Sequence, residues 1–311
     1  MPWNGVKLNS GDVIPQLGYG TWKIPPKEAV DQITQAVHVG VTHIDTAQNY
    51  GNEAETGQAL KENGLPRSSV WITTKFSGRK SVEESIKDSL NYLGVKFVDL
   101  YLIHGPPMAE GNIPGLWEKF EKIQADGSAK SIGVSNFNVE ELELLLRNAK
   151  VVPAVNQILL HPYIYAQQKP IIDFCHKEGI AIEAYSPLIP ITKVPGGPVD
   201  KPLQKISKRT GATYDQILLA WNKAKGSIVL SSSSKRSRLE GYMKAGDIEL
   251  TEEEIAEIDA AGAKGSDSWF IEDVVPKSNS TGRTLTVIIL AAVSLTATIA
   301  VWAAAHVFNL V

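Results

Sequence analysis

The chain is predicted to form a closed eight-fold β/α barrel, and three observations carry that expectation. Eight short β-rich runs alternate along it with segments of helical periodicity. No G-x-G-x-x-G follows the first run, and no phosphate loop ending in Gly-Lys-Ser/Thr is present, so an open dinucleotide-binding sheet is not indicated. Two apolar pieces, residues 5–8 and 13–16, flank the turn-forming Asn9-Ser10-Gly11-Asp12 and read as a β-hairpin ahead of the repeat.

The β-rich runs fall at residues 17–20, 42–46, 70–75, 97–103, 129–134, 154–159, 180–185 and 227–231. Between them, Ala29, Ile33, Ala36 and Val37 share one helical face. Ile86, Leu90 and Leu93 share another, as do Leu116, Phe120 and Ile123. Strands alternating with helices imply a parallel sheet with right-handed crossovers, and eight such units favour closure into a barrel.

Composition agrees with one large domain: 43% of the 311 residues are hydrophobic, ample for a single core. Net charge is −3, and no cluster of Lys and Arg marks a nucleic-acid surface. The one cysteine, Cys175, excludes an internal disulfide and fits a reducing compartment. It sits in the apolar helical stretch 171–175 and reads as a buried small hydrophobe. The first residues, Met1-Pro2-Trp3-Asn4-Gly5, show no basic region followed by an apolar run, so no secretory signal is expected.

Residues 285–305 differ in kind. They contain no charge, no proline and no glycine, and every Lys, Arg, Asp and Glu lies at or before Arg283. As a helix this run spans about 31 Å, matching a bilayer core of roughly 30 Å. The expected organisation is a barrel over residues 1–261, a linker over 262–283 and a tail anchor over 284–311. Lys277 and Arg283 on the N-terminal side favour a cytosolic barrel. His306 alone follows as a basic group, which favours the endoplasmic reticulum over the mitochondrial outer membrane. A cleaved lipid-anchor signal and a buried core helix are the rival readings. Trp269 and Phe270 read either as a cover for the barrel mouth or as aromatics at the membrane interface.

In a β/α barrel, chemistry collects where strands end and loops begin. Asp45 comes late in the second run and Tyr50 follows in its loop, while Lys75 and His104 close the third and fourth runs. Taken singly, each has an ordinary structural explanation; four ionisable groups at converging strand ends make a candidate site. His43, His104 and His161 show no ligand pair at helical spacing and no Cys cluster accompanies them, so no metal site is expected.

The stretch His43-Ile44-Asp45-Thr46-Ala47-Gln48-Asn49-Tyr50-Gly51-Asn52-Glu53 resembles the second-strand motif of the aldo-keto reductases. Ile132-Gly133-Val134-Ser135-Asn136-Phe137 resembles a second motif of that family, and Val155-Asn156-Gln157 through His161-Pro162 a third. The resemblance runs over residues 6–261, and the anchor lies outside the usual family pattern. It implies a catalytic set of Tyr50, Lys75, Asp45 and His104 acting on a small carbonyl compound. The physics of those residues agrees. A phenol with a pKa near 10 is a poor acid at neutral pH, and a nearby ammonium is expected to lower that value. Lys75 would supply the ammonium, Asp45 would hold Lys75, and His104 would orient the substrate oxygen.

A hydride must come from a bound carrier, because no side chain supplies one. The resemblance implies NADPH, with Ser135, Asn136 and Gln157 on the carboxamide and Tyr185 stacked on the nicotinamide. Ser186 and Leu188 would begin the loop over the pyrophosphate. The run Ser231-Ser232-Ser233-Ser234-Lys235-Arg236-Ser237-Arg238 combines hydroxyls and cations, with no acid before Glu240. Ser232, Ser233, Lys235 and Arg238 suit a 2′-phosphate. The family's usual lysine is missing there; Lys235 replaces it three residues later, as in a branch resembling the α-keto amide reductases, and Arg238 aligns with the family's phosphate-binding arginine. Trp22 is expected to line the substrate pocket. Ser77 and Gly105 stand where Trp is common in the family and imply a wider mouth.

The expectation is therefore a monomeric NADPH-dependent reductase of aldehydes, ketones or α-dicarbonyls, held to a membrane by its last helix. The rival is a non-catalytic NADPH-binding partner of a membrane protein, since the barrel also resembles the β subunits of potassium channels.

Overall fold

The structure is a computed structural model and describes residues 3–265. A two-stranded antiparallel hairpin comes first, β1 (Gly5–Lys7) and β2 (Val13–Pro15), with Gly5 opposite Pro15. Eight parallel strands then close into a barrel: β3 (Leu17–Gly20), β4 (His43–Asp45), β5 (Trp71–Phe76), β6 (Val98–Ile103), β7 (Ala129–Ser135), β8 (Val155–Leu159), β9 (Ala181–Tyr185) and β10 (Ile228–Ser231). Each pairs with its sequence neighbour, and β10 closes the ring on β3. All eight expected runs are strands, and the expected hairpin is present.

The strands lie between an interior and a shell of helices, so they read as nearly continuous apolar runs. Every residue of β5 and β6 is buried. The shell opens with α1 (Pro26–His38), α2 (Glu53–Glu62), α3 (Val82–Leu93), α4 (Ile113–Ala125), α5 (Val139–Leu146) and α6 (Tyr165–Lys177). The apolar stripes read from the sequence face inward: Ala29, Ile33 and Ala36 are fully buried, and so are Ile86, Leu93, Phe120 and Ile123 to within 2%. Local chemistry fixes the helix ends. Ser81 caps α3 through a reciprocal bond with Glu84, and Gly94 ends it in the left-handed conformation at φ 66°. Gly57 lets α2 reach α3, since a Cβ there would lie 2.6 Å from the Tyr92 carbonyl oxygen.

Three helices stand between β9 and β10: α7 (Ile189–Thr192), α8 (Asp200–Thr210) and α9 (Tyr214–Ala224). After β10 come α10 (Arg236–Ala245) and an additional α11 (Glu252–Gly262), whose capping Glu254 receives a two-bond fork from Arg209 at 2.5 and 2.7 Å. Leu8 and Ile14 from the hairpin region pack with Trp71, Val155 and Ile228 at the strand starts, which closes the N-terminal end of the barrel. The strand C-terminal ends are left as the mouth.

Among the described residues, no helix is long and apolar enough to cross a membrane. The expected anchor at 284–311, nearly all of the linker, and Trp269 and Phe270 lie outside the described residues. Cys175 is fully buried, as expected, and burial pushes its thiol up to about 11.

Candidate active site

The barrel delivers four side chains to one place. Asp45 is the last residue of β4, Lys75 is in the last turn of the pleat in β5, and His104 directly follows β6. Tyr50 sits in a 3-10 turn, Gln48–Tyr50, that folds back after β4; Gly51 follows it at φ 69°. Lys75 and Asp45 are side by side because β4 and β5 are paired neighbours in register.

Lys75 is fully buried, and its ammonium has three donors. They reach Asp45 Oδ1 at 2.6 Å, the Thr46 carbonyl at 2.9 Å and Tyr50 Oη at 3.3 Å. A buried cation persists only when paired and hydrogen-bonded, and here every proton has an acceptor. Burial pulls Lys75 toward deprotonation, but Asp45, Tyr50 and Glu183 outweigh it and hold the ammonium above its ordinary range. Burial also pushes the Asp45 carboxyl up, against the pull of Lys75 and Gln157.

The phenol moves opposite to the direction expected from the lysine alone. Tyr50 is raised above the ordinary phenol value, because its burial outweighs the lowering by Lys75. The lysine therefore limits a rise and does not produce a net fall. Its bond to Tyr50 Oη still stabilises whatever negative charge forms on that oxygen.

His104 packs edge-to-face on Tyr50, with ring centres 5.6 Å apart. Burial, helped by the Lys75 charge, lowers it to about 3, so it is a neutral imidazole with one N–H donor. Its Nδ1 is buried without a partner, an unmet polar atom at the mouth. His43 is lowered to about 3 by burial and then Lys75, and His161 to about 4 by burial. The unfolded chain binds protons on these histidines below about pH 6.5 while the folded chain does not. Stability is therefore present above that pH and is lost as pH falls toward 4. Each histidine costs about 2 kcal/mol of stability at pH 5 on this basis, and together they should lower Tm by on the order of 10 °C between pH 7 and pH 5. Thermal denaturation at the two pH values checks this; an unchanged Tm would contradict neutral buried histidines.

The residues assigned to a nicotinamide cluster at the ends of β7, β8 and β9. Ser135 Oγ donates to the Gln157 carbonyl at 2.9 Å, and Asn136 Nδ2 donates to Ser135 Oγ at 3.0 Å. Tyr185 Oη donates to Asn136 Oδ1 at 2.8 Å. Asn136 and Ser186 hold left-handed backbone at φ 61° and 55°, strain that gathers at functional sites. Leu188 lies on the same loop, as the cap of α7. Gln157 is also engaged from below. Its Nε2 donates to Asp45 Oδ2 at 2.9 Å and to Glu183 Oε2 at 2.7 Å, so only Oε1 remains for a carboxamide. Sequence reasoning missed Glu183, although an acid inside the run Ala181-Ile182-Glu183-Ala184 is a readable anomaly.

The phosphate-type run leads into α10. Arg236 is paired with Glu240 at 2.9 Å. Lys235 and Arg238 are exposed and have no acidic partner among the described residues. Ser232 is exposed, while Ser233 Oγ accepts the Lys235 N–H at 3.1 Å. Two cations at a helix N-terminus suit an anion. Trp22 is half-buried beyond β3, with the Lys23 ammonium 4.3 Å from its ring centre. Ser77 is buried, and its N–H donates to Gln48 Oε1 at 3.0 Å. A Cβ on Gly105 would meet only Pro107 at 3.6 Å and the Ser135 carbonyl oxygen at 4.0 Å, so that wall is open.

The comparisons agree with this architecture. The model of the aldo/keto reductase family matches residues 16–190 and 196–263. The chain belongs to the aldo/keto reductase family. This aldo/keto reductase is similar to the NAD/NADP-dependent indole-3-acetaldehyde reductase of Schizosaccharomyces pombe, at 35% identity over 83% of this chain and 95% of that one. It is similar also to an aldehyde reductase of Saccharomyces cerevisiae, at 35% identity over 77% of this chain and 85% of that one. The crystal structure of an aldo/keto reductase from Brucella melitensis matches with a TM-score of 0.77 at 37% identity, over 83% of this chain and 99% of that one. The protein is an oxidoreductase with a closed parallel barrel and an N-terminal hairpin.

Proposed function

We propose that this oxidoreductase reduces aldehydes and ketones to alcohols with NADPH, α-dicarbonyl and α-keto compounds included. The observation that carries the reading is the Lys75 ammonium, buried and bonded to both Asp45 and Tyr50 Oη. A fully buried lysine with this aim has no structural need of a phenol, whereas a proton-donating phenol needs the cation. NADPH, held by Ser135, Asn136, Gln157 and Tyr185, would supply a hydride for the carbonyl carbon. Tyr50 gives its proton to the carbonyl oxygen, Lys75 stabilises the phenolate left behind, and neutral His104 offers its N–H to the same oxygen. Ser135, Asn136, Tyr185 and the free Oε1 of Gln157 fit an amide-bearing ring, and the unpartnered His104 Nδ1 fits a site that awaits polar contact. The test is NADPH consumption with a panel of carbonyls. Alcohol formation supports the enzyme. Tight NADPH binding without turnover on any of them would support the scaffold reading instead.

Lys235 and Arg238 are assigned to the 2′-phosphate, with Ser232 and Ser233 beside them. Their lack of an acidic partner among the described residues and their place at α10 support NADPH over NADH, and Lys235 supports kinship with the α-keto amide reductases. A charge-assisted contact contributes about 1.5–3 kcal/mol, so changing both to Ala should weaken NADPH binding roughly ten-fold or more. NADH binding should barely change. Equal losses for both cofactors in a fluorescence titration would assign these residues to the fold.

Residues 285–305 are assigned to a membrane helix, with the barrel in the cytosol and the endoplasmic reticulum preferred. The support is the charge-free run and the Lys277 and Arg283 that precede it. The full chain should stay in the pellet after alkaline carbonate, and a chain ending at Arg283 should stay in solution and reduce carbonyls. Recovery of the full chain in the soluble fraction would defeat the anchor.

A further inference from the structure

Glu183, in the middle of β9, is fully buried in the barrel interior. Its Oε2 accepts Gln157 Nε2 at 2.7 Å, and the same nitrogen donates to Asp45 Oδ2 at 2.9 Å. Asp45 accepts Lys75 at 2.6 Å, and Lys75 reaches Tyr50 Oη at 3.3 Å. A continuous path Glu183–Gln157–Asp45–Lys75–Tyr50 thus joins an acid under the site to the proton donor at its mouth.

The other carboxyl oxygen, Oε1, is buried with no hydrogen-bond partner. The ring nitrogen facing it, His43 Nε2, is 3.5 Å away and lies 3.1 Å from Thr73 Oγ1. An ionised carboxylate with one oxygen unpaired and a second carboxylate nearby is strongly disfavoured; a neutral acid is far less so. Burial and the Asp45 charge accordingly push Glu183 up to about 8. The titratable groups facing it are His43 and Asp45 on β4, Tyr50 in the turn after β4, and Lys75 on β5. The flanking strands β8 and β10 carry no titratable side chain.

We propose that Glu183 is a positioning residue for the reduction: neutral, it holds the Gln157 amide against Asp45, and on ionising it makes Tyr50 a poorer proton donor. This rests on the assignment of Tyr50 as the donor. The sign follows from charge. A new negative charge on Glu183 favours the protonated phenol of Tyr50 and the protonated Lys75, and raises both groups.

The test uses the full chain with Glu183→Gln and Glu183→Leu. Glu183→Gln keeps an oxygen acceptor for Gln157 but never ionises; Glu183→Leu fills the space and cannot accept. The first readout needs no cofactor: tyrosinate absorbance against pH, as the difference between each background and the same background carrying Tyr50→Phe. In Glu183→Gln, Tyr50 should ionise at lower pH than in the parent. The second readout is kcat/KM for carbonyl reduction against pH. The parent should lose activity above about pH 8, and Glu183→Gln should lack that limb. At pH 6, kcat of Glu183→Leu should fall about ten-fold below Glu183→Gln, the order of one lost buried hydrogen bond in positioning. Parent and Glu183→Gln curves that coincide in the cofactor-free titration would overturn the proposal, as would equal kcat values for the two variants. A parent without turnover on any carbonyl, but with the Tyr50 shift intact, would overturn the reductase reading and not the coupling.

Discussion

Tyr50→Phe is expected to lower carbonyl turnover by about 10²–10⁴-fold while NADPH binding stays near that of the parent. The substitution removes one oxygen. The aromatic ring that packs edge-to-face on His104 remains, and so does the ring face that Lys75 approaches at 4.9 Å. The change therefore deletes the proton donor with little effect on the surrounding surface. Its signature is a fall in kcat larger than any rise in KM, measured as NADPH consumption at saturating carbonyl. Near-normal turnover would remove Tyr50 from the mechanism. A folded protein with unchanged NADPH fluorescence is the control that gives the rate its meaning.

Lys75→Met has the largest expected effect on stability. It removes the cation from a fully buried pair and leaves Asp45 with Gln157 as its remaining donor. Breaking a buried pair from one side costs about 3–5 kcal/mol, a large part of a typical domain's total stability of about 5–15 kcal/mol. Asp45→Leu alone strands the ammonium in the same way. The double variant Lys75→Met/Asp45→Leu leaves neither charge unpaired and should recover most of the loss. Urea denaturation of the four proteins measures this cycle. Additive losses would show that the two side chains do not depend on each other. Activity should vanish in all three variants, because none retains the Lys75 contact to Tyr50 in its native setting.

The barrel was legible because its determinants are local. Runs such as Val98–Ile103 are apolar but for Asp99, and the helical stripes repeat at the helical period, so neither needs tertiary information. The four candidate catalytic residues were legible because three sit at strand ends and Tyr50 in the turn that follows one, where the topology itself brings them together. What the sequence hid depends on burial. The upward shift of Tyr50 comes from desolvation, which no spacing reports, and it reverses the direction that the lysine alone would give. The commitment of Gln157 Nε2 to Asp45 and Glu183 requires contacts across residues far apart in the chain, and so does the pairing of Arg209 with the cap of α11. Helices α7, α8 and α11 also went unread, the first because a four-residue helix carries too little periodicity. Glu183 was readable as an oddity, an acid in an apolar strand, but its partners were not.

Direct reduction of a carbonyl carbon at the mouth formed by Tyr50, Lys75, Asp45 and His104 can be followed with NADPH deuterated at the transferring carbon, a carbonyl substrate and mass spectrometry of the product. One deuterium is expected on the carbinol carbon of the alcohol for each NADPH consumed, with the hydroxyl proton drawn from solvent. Cofactor consumption without label in an alcohol, or label released to water, would contradict it.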